Sequence, residues 1–273
     1  MAWSERQHAL LRGIGIRLWS APAPVLLGAP ADVAEVAEPP QHQQPHHQQR
    51  QRAVGPAPAV PITVSITVPT AALAPGLDWP ALRDAVAACT ACALCQSRKQ
   101  TVFGVGHLQA PWLVVGEAPG EQEDLKGEPF VGTAGQLLDR MLGALQLTRA
   151  ADGSAALAQR VYIANTLKCR PPRNRNPTPA ELAACEPYLV RQIELLRPRI
   201  ILAMGAFAVK SLLRTDEPVG RLRGRVHRYQ GVPLIVTYHP AYLLRSPQEK
   251  ARAWDDLCLA AQVFEDAAQA DSA

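Results

Sequence analysis

The sequence lacks any hydrophobic run that could cross a membrane. Of its 273 residues 48% are hydrophobic, but no uninterrupted apolar stretch approaches the roughly 20 residues that a spanning helix needs. The N-terminus is only loosely like a secretory signal, since Glu5 comes early and Gly13, Gly15 and Arg17 interrupt the apolar positions near the start. We therefore expect a cytoplasmic protein without a membrane-spanning helix.

The sequence also lacks the regular cysteine spacing of a disulfide framework. Its six cysteines are Cys89, Cys92, Cys95, Cys169, Cys185 and Cys258. In a cytoplasmic protein such uneven spacing favours metal ligands over disulfides. A CxxC pair with two distant cysteines could hold a structural zinc or a [4Fe–4S] cluster, and the spacing alone does not decide between them. Cys95 is a spare thiol beside this site, and Cys258 is typical of a helix core.

Residues 21–76 lack aromatic side chains and any sustained helical or strand period. Proline, glutamine, alanine and histidine dominate there, and such a segment buries too little surface to offset the entropy of ordering it. We therefore predict a disordered linker. Before it, residues 1–20 have apolar side chains at near-helical spacing, which predicts a short peptide that could dock on a partner as a helix. The globular domain is predicted to be residues 77–273.

Strands and helices alternate in that domain. Four buried strands are predicted: Trp112–Val115, Val161–Ala164, Ile200–Met204 and Leu234–Thr237. Five helices are predicted: one from an Asp78 N-cap to about Ala88, then Gly135–Leu145, Ala180–Leu196, Ala206–Leu213 and Trp254–Ala268. The alternation, with β-branched strand cores, predicts an α/β fold in which helices cover both faces of a parallel sheet.

Polar, glycine-rich and proline-rich segments follow all four predicted strands. They read GEAPGEQED, NTLKCRPPRNR, GAFAVK and YHPAYLLR. In open α/β sheets, ligands bind beyond the carboxyl ends of the strands, so we expect the four segments to line one cleft. The second segment is basic, as is RLRGRVHR at 221–228. Two basic strips beside one cleft suggest contact with the phosphates of a nucleic acid.

Six motifs, in order, give a resemblance to a known family. CTAC, FGVG, GEAPGEQED, GEPFVGTAGQLLDRML, NTLKCRPPRNRNPTPAELAAC and HPAYLLR resemble the family 4 uracil-DNA glycosylases. The resemblance implies a three-layer αβα sandwich around a four-stranded parallel sheet. It also implies a monofunctional enzyme of base-excision repair, which hydrolyses the N-glycosidic bond of deoxyuridine in DNA and releases uracil. The implied cofactor is a [4Fe–4S] cluster on Cys89, Cys92, Cys169 and Cys185, without Cys95.

The resemblance assigns residues to the flipped base. Phe130 would stack on the uracil ring, and backbone N–H groups near Ala118 could bind its edge. Asn165 would present a carbonyl to uracil N3–H and an amide donor to O4, a pattern that cytosine reverses. His239 would donate a hydrogen bond to uracil O2 as negative charge develops on the leaving base.

Four acids follow the first strand, and their expected roles differ. Glu117 is the favoured catalytic carboxylate, because it lies closest to the strand end and would orient water or stabilise a cationic sugar. Glu123 is the second catalytic candidate and could also wall off the C5 side of the base against thymine. Glu121 and Asp124 are expected to cap the next helix or to face solvent.

The resemblance also predicts how DNA is held. Tyr242, Leu243 and Leu244 would form the wedge that fills the space left by the flipped base, with Arg245 on a phosphate. Further phosphate contacts are expected from the basic segment, at Lys168, Arg170, Arg173 and Arg175. The substrate is uracil-containing DNA, single- or double-stranded, and we expect a nucleoid-associated monomer.

Residues 3–19 are similar to the docking peptide of a clamp-loader accessory subunit of bacterial DNA polymerase III, so a replication or repair partner is predicted there. The non-enzyme alternative is an iron–sulfur DNA-binding or replication-accessory module. A family 5-like glycosylase is the enzyme alternative, but that family lacks an acid at the position of Glu117.

Overall fold

The computed structural model describes residues 76–270. The predicted peptide at residues 1–20 and, apart from Gly76, the predicted linker at residues 21–76 lie outside the described residues. Within the described part of the chain, no helix combines the length and the apolar character that crossing a membrane requires.

Strands and helices alternate along the described chain. The strands β1 to β6 are Val105–Gly106, Trp112–Gly116, Val161–Asn165, Ile200–Met204, Val226–Tyr229 and Val232–Thr237. The helices α1 to α8 are Trp79–Ala87, Glu121–Lys126, Thr133–Ala144, Pro179–Leu196, Ala206–Leu213, Val219–Leu222, Pro240–Arg245 and Lys250–Ala270. The four predicted strands and five predicted helices are all present, most with ends shifted by a few residues.

The strands form one six-stranded sheet in the order β1-β3-β2-β4-β6-β5. Its four central strands, β3, β2, β4 and β6, are parallel, as predicted. The two edge strands, β1 and β5, pair antiparallel and were not predicted. β1 has only two residues, and β5, with the sequence VHRY, overlaps the second basic strip, where its half-exposed pattern hides the strand.

Helices cover both faces of the sheet, so the αβα class is confirmed. Successive side chains on a strand point to opposite faces. On β2, Trp112 and Val114 belong to the core cluster that contains α3, α7 and α8 residues. Leu113 and Val115 belong to the cluster with α4 and α5 residues. Because every residue of β2, β3 and β4 is buried, these strands read as continuous apolar runs.

Local signals in the sequence explain where two helices begin. The Asp78 side chain accepts a hydrogen bond from the Ala81 N–H at 3.0 Å, which caps α1 as predicted. Thr178 and Glu181 form a reciprocal capping box at the start of α4, with Pro179 in its first turn. These caps fix α1 and α4, the two helices that flank the cysteines.

Candidate active site and cysteine site

A pocket of about 760 Å³ opens at the carboxyl ends of the four parallel strands. Each strand contributes a lining residue: Glu117 follows β2, Asn165 ends β3, Gly205 follows β4 and His239 follows β6. The predicted convergence of the four strand ends is therefore confirmed. Ala118, Glu123, Phe130, Arg175, Tyr242 and Arg245 of the predicted site also line this pocket.

Asn165 presents an unsatisfied hydrogen-bond acceptor within this site. Only 2% of the residue is exposed, and its Oδ1 is buried without a hydrogen-bond partner. Leaving a buried acceptor unpaired costs roughly 1–3 kcal/mol, so a ligand that supplies a donor is favoured here. The absence of a side chain at Gly116 makes this placement possible, because a Cβ there would lie 2.5 Å from Asn165 Oδ1 and 2.6 Å from Phe130 Cζ.

Phe130 is held in an unusual conformation at the pocket wall. Its φ of 56° is in the left-handed region, which is costly for an aromatic residue. Arg149 binds the carbonyls of Pro129 and Phe130, both at 2.8 Å, and pairs with Asp139 at 2.7 Å. The Phe130 ring stacks on His239 with centroids 5.4 Å apart. Arg149 was not among the predicted site residues, because a lone arginine after a helix gives no local signal.

His239 is fixed as a neutral donor. It is the N-cap of α7, and its Nδ1 accepts the Ala241 N–H at 3.2 Å. Burial, helped by the positive charge of Arg245, lowers the pKa of His239 to about 4. A neutral imidazole that accepts at Nδ1 carries its proton on Nε2, so Nε2–H is available to a ligand.

Glu117 is the carboxylate that the protein leaves uncommitted. Burial raises its pKa above that of an ordinary glutamate. Within residues 76–270 no hydrogen bond or ion pair joins its carboxylate to another residue. The backbone is nevertheless fixed, because the Glu117 carbonyl accepts hydrogen bonds from Thr166 Oγ1 and from the Leu167 N–H at 3.1 Å. A rigid backbone thus holds a free, partly desolvated carboxylate at the pocket.

Glu123 lines the same pocket, but its oxygens are occupied. Oε2 accepts from the Gly120 N–H at 3.1 Å, and Oε1 accepts from the N–H groups of Val131 and Gly132 at 3.0 and 3.1 Å. This carboxylate therefore ties the loop after β2 to the loop that precedes α3. Three backbone donors satisfy it, which suits a structural role better than activating water.

The other two acids of this segment differ from one another. The Glu121 side chain is 64% exposed in the first turn of α2, as predicted. The prediction for Asp124 was wrong, because it is 2% exposed and both of its oxygens accept from the Lys99 N–H, at 3.0 and 3.2 Å. A buried carboxylate of this kind is stable when a backbone donor satisfies it.

Two of the predicted DNA-contact residues are in fact buried. Lys168 is 1% exposed, and its Nζ donates to the Asn165 carbonyl and to Gln192 Oε1. Burial lowers the pKa of Lys168 to about 8. Leu243 is 1% exposed within the core cluster of α3 and α8. Neither side chain can touch DNA in this conformation, so both assignments are corrected.

The remaining predicted DNA contacts lie at the surface around the pocket. Tyr242 and Leu244 are 37% and 44% exposed on α7, with Arg245 exposed beside them. Arg173 is exposed in the loop after β3. The other two arginines of that loop have internal partners: Arg170 Nε donates to Asn174 at 2.7 Å, and Arg175 pairs with Glu181 at 2.6 Å.

Several pocket residues had no individual role in the sequence analysis, although most lie in the four segments that were expected to line the cleft. They are Pro119, Gly120, Ala134, Pro171, Asn174, Asn176, Gly205, Ala206, Pro218, Val219, Gly220, Tyr238 and Ala241. Those outside the four segments are Ala134, Asn176, Pro218, Val219 and Gly220, and tertiary packing alone brings them to the pocket. Tyr238 had a usable signal, since it directly precedes His239 at the end of β6 and its ring lies 5.1 Å from that of Tyr242.

Five of the six cysteines form a second, smaller site. Cys89, Cys92, Cys95, Cys169 and Cys185 all line one small cavity between α1 and α4. Two sulfurs accept hydrogen bonds: Arg98 Nη1 donates to Cys169 Sγ at 3.1 Å, and the Lys168 N–H donates to Cys185 Sγ at 3.3 Å. Burial raises the pKa of Cys185 to about 12 and raises that of Cys169 as well.

The donor chemistry of these cysteines admits more than one metal group. In the part of the chain that the structure describes, no group of three or more histidine, cysteine, aspartate or glutamate side chains is arranged to hold one metal ion. A mononuclear zinc needs four ligands within bonding distance of one point. In a [4Fe–4S] cluster each thiolate binds a different iron, so the sulfurs enclose a larger body. The donor set at this cavity therefore suits either a structural zinc or an iron–sulfur cluster.

Comparison with known proteins places this arrangement in a class. The model of the uracil DNA glycosylase superfamily matches residues 103–258, a range that contains every strand end at the pocket. The type-4 uracil-DNA glycosylase of Archaeoglobus fulgidus is 43% identical over 171 residues, covering 60% of this chain and 81% of that protein. The type-4 enzyme of Pyrobaculum aerophilum is 40% identical over 193 residues, covering 67% and 93%.

A more distant similarity concerns the type-5 uracil-DNA glycosylase of Pyrobaculum aerophilum, which is 32% identical over 146 residues. That match covers 50% of this chain and 64% of the relative. Identity and coverage are both greater for the type-4 proteins. The chain belongs to the type-4 family of the uracil-DNA glycosylase superfamily.

Proposed function

We propose that residues 77–273 form a monofunctional uracil-DNA glycosylase that hydrolyses the N-glycosidic bond of deoxyuridine in DNA. The products are free uracil and an abasic site, and the reaction initiates base-excision repair. The observation that carries the proposal is the buried, unpartnered Oδ1 of Asn165. Uracil N3–H is a donor that would satisfy it, whereas N3 of cytosine is an acceptor that would repel it.

Base recognition combines this acceptor with the wall of the pocket. A base that undergoes chemistry must first leave the stack and enter such a pocket. Phe130, held by Arg149 and by its contact with the glycine-lined strand end, supplies a flat apolar surface for the ring. Backbone N–H groups near Ala118 complete the edge contacts. The same fixed geometry would reject cytosine, because the amide donor of Asn165 would face the N4 amino group and its carbonyl would face the acceptor N3.

Bond cleavage develops negative charge on uracil and positive charge on the sugar. His239 Nε2–H is the donor for uracil O2, and its neutral state at pH 7 follows from its lowered pKa. A fixed N–H donor aimed at O2 stabilises the negative charge that develops there. On the opposite side, the Glu117 carboxylate stabilises the cationic sugar and orients the attacking water. We assign Glu123 to positioning, because backbone donors occupy its oxygens.

DNA is held by the exposed side chains that surround the pocket. Tyr242 and Leu244 project from α7 and form the wedge that replaces the flipped base, and Arg245 contacts a phosphate. Arg173 in the loop after β3 adds a further phosphate contact, with Arg170 and Arg175 beside it. Lys168 and Leu243 support these elements from inside the fold.

The cofactor of the cysteine site is proposed to be a [4Fe–4S] cluster held by Cys89, Cys92, Cys169 and Cys185. Such a cluster would cross-link the segment after α1, the loop after β3 and α4, and it would take no part in the hydrolysis. Arg98 and the Lys168 N–H already donate to two of the sulfurs, as cluster thiolates require. Cys95 lines the same cavity and is proposed to be a spare thiol.

The proposals for partners go beyond these two sites. We propose that the protein acts as a nucleoid-associated monomer on single- or double-stranded uracil-containing DNA. Docking of residues 3–19 on a replication or repair protein stays a prediction, since that segment lies outside the described residues.

The activity is tested by incubating the purified full chain with otherwise identical oligonucleotides that contain uracil, cytosine or thymine at one position. We expect free uracil, identified by mass spectrometry, from the first substrate only, in both single strands and U:G duplexes. The Asn165→Ala variant is the control for contaminating glycosylase. Tight DNA binding without uracil release by the wild-type chain would contradict the proposal and favour an iron–sulfur DNA-binding module.

A further inference from the structure

A buried lysine joins the cysteine site to the base-reading residue. The Lys168 Nζ donates to the carbonyl of Asn165 at 2.8 Å and to Gln192 Oε1 at 2.7 Å. Its own N–H donates to Cys185 Sγ, and it directly precedes Cys169. One residue therefore bonds to Asn165 through its side chain and to the cysteine site through its backbone.

The partners of this lysine are themselves fixed. Gln192, on α4, is fully buried, and its Nε2 donates to the Phe103 carbonyl at 2.9 Å and to the Tyr162 hydroxyl at 3.3 Å. The amide oxygen of Gln192 is thereby aimed at Lys168. At the other end, the Lys168 carbonyl accepts from the Val102 N–H at 2.8 Å. A side chain held at both ends can transmit position to the carbonyl of Asn165.

The ammonium group of Lys168 is unusual because it is buried without a carboxylate partner among the described residues. Burying an ammonium group is costly unless an anion offsets it. Among residues 76–270, no carboxylate forms an ion pair with Lys168, and its two acceptors are neutral oxygens. The two hydrogen bonds to the Asn165 carbonyl and to Gln192 are therefore the contacts that hold Nζ in place.

We propose that Lys168 is a positioning residue for base recognition, which holds the Asn165 backbone in register through the hydrogen bond that its buried Nζ donates to the Asn165 carbonyl. The proposal rests on the proposed role of Asn165 as the residue that reads uracil. It gives the cysteine site a link to the pocket through one side chain, in addition to cross-linking the fold.

The test replaces the ammonium by a group of similar shape without charge. Lys168→Met in the full, iron-loaded chain is compared with Lys210→Met, which removes a surface lysine whose side chain is 43% exposed and pairs with Asp216. We expect kcat/KM for uracil excision to fall roughly tenfold or more in Lys168→Met and to stay unchanged in Lys210→Met, since exposed ion pairs contribute little.

A double-mutant cycle separates positioning from general damage. If Lys168 acts through Asn165, Lys168→Met should lower kcat/KM for uracil excision far less in the Asn165→Ala background than in the wild type. An equal loss of kcat/KM in both backgrounds would overturn the proposal. Iron content is measured for every variant, and a loss of iron that parallels the loss of activity would also overturn it, because Lys168 would then act on the cysteine site alone.

A second readout needs no substrate. The N–H groups of Thr166 and Leu167 donate to the carbonyls of Gly116 and Glu117, both at 3.1 Å, directly after Asn165. Hydrogen–deuterium exchange of these amides should accelerate by roughly tenfold or more in Lys168→Met but not in Lys210→Met. Unchanged exchange would overturn the proposal even if the chain had no glycosylase activity. If Lys168→Met does not fold, Lys168→Gln, which keeps a donor but loses the charge, enters the same cycle and exchange measurement with the same expected signs.

Discussion

Replacing Glu117 by glutamine changes one charge in the pocket and almost nothing else. The side chain keeps its shape, and within residues 76–270 no protein group depends on the carboxylate. One catalytic group of this kind contributes roughly 10²–10⁴ in turnover, which corresponds to about 2.7–5.4 kcal/mol of transition-state stabilisation. We expect a loss of kcat in this range, while binding to uracil-containing DNA persists or tightens because a negative charge near phosphates is removed.

The assay is single-turnover release of uracil, with Glu121→Gln as the matched control. Glu121 belongs to the same acid-rich segment, but its side chain is 64% exposed. Its ion pair with Arg170 is long, at 3.6 Å. We expect near-normal turnover for this control. Normal turnover in Glu117→Gln together with an inactive Glu123→Gln would refute the assignment within this segment. Full activity of both variants would show that neither carboxylate orients the water.

The pH dependence of turnover gives an independent check on Glu117. The mechanism needs its charged form, and burial raises its pKa. Activity should therefore fall as the pH drops through a midpoint above the usual glutamate value of about 4.3. His239 stays neutral until the pH falls to its pKa of about 4. The first loss of activity on acidification is therefore expected from protonation of Glu117. In Glu117→Gln this higher midpoint should disappear from the pH profile.

Three further predictions concern the cofactor, the leaving group and the N-terminal segment. The wild-type chain should contain about four iron atoms and absorb at about 400 nm. Cys169→Ala should lose this iron, whereas Cys95→Ala should keep it. Stoichiometric zinc without iron in the wild type would contradict the cluster. His239→Ala should lower kcat by roughly 10²–10³, as removal of one donor to a developing anion does, with little change in DNA binding; an unchanged kcat would exclude that role. Deletion of residues 1–76 should leave uracil excision nearly intact, because every motif lies beyond them, and a large loss of turnover would show that the segment belongs to the catalytic fold.

The central strands and the convergence of their ends could be predicted because buried strands have recognisable apolar sequences and parallel topology fixes where the strands end. β2, β3 and β4 are continuous apolar runs, and the carboxyl ends of parallel strands always meet at one edge of the sheet. The edge strands have no comparable apolar pattern in the sequence. In β5, exposed Val226 and Arg228 alternate with half-buried His227 and Tyr229, so its residues resemble a basic strip rather than a strand.

Within the site, residue types could be predicted better than burial. Asn165, Glu117 and His239 follow strands, and each lies at the pocket as expected. Lys168 and Leu243 were assigned to DNA from their chemistry, but three-dimensional packing buries both. A charged residue in a sequence indicates neither how deeply its side chain is buried nor which group it contacts. The occupied oxygens of Glu123 likewise depend on a loop eight residues further along, which no local pattern reveals.

The central claim is that Asn165 reads uracil through a fixed order of donor and acceptor. The most direct measurement is the ratio of kcat/KM for uracil to that for cytosine, at the same position of the same oligonucleotide, in the wild type and in Asn165→Asp. A carboxylate loses the fixed order of the amide, so the account predicts that this ratio falls in the variant, through slower excision of uracil and gain of cytosine excision. An unchanged ratio would contradict the account, because the base would then be selected without Asn165.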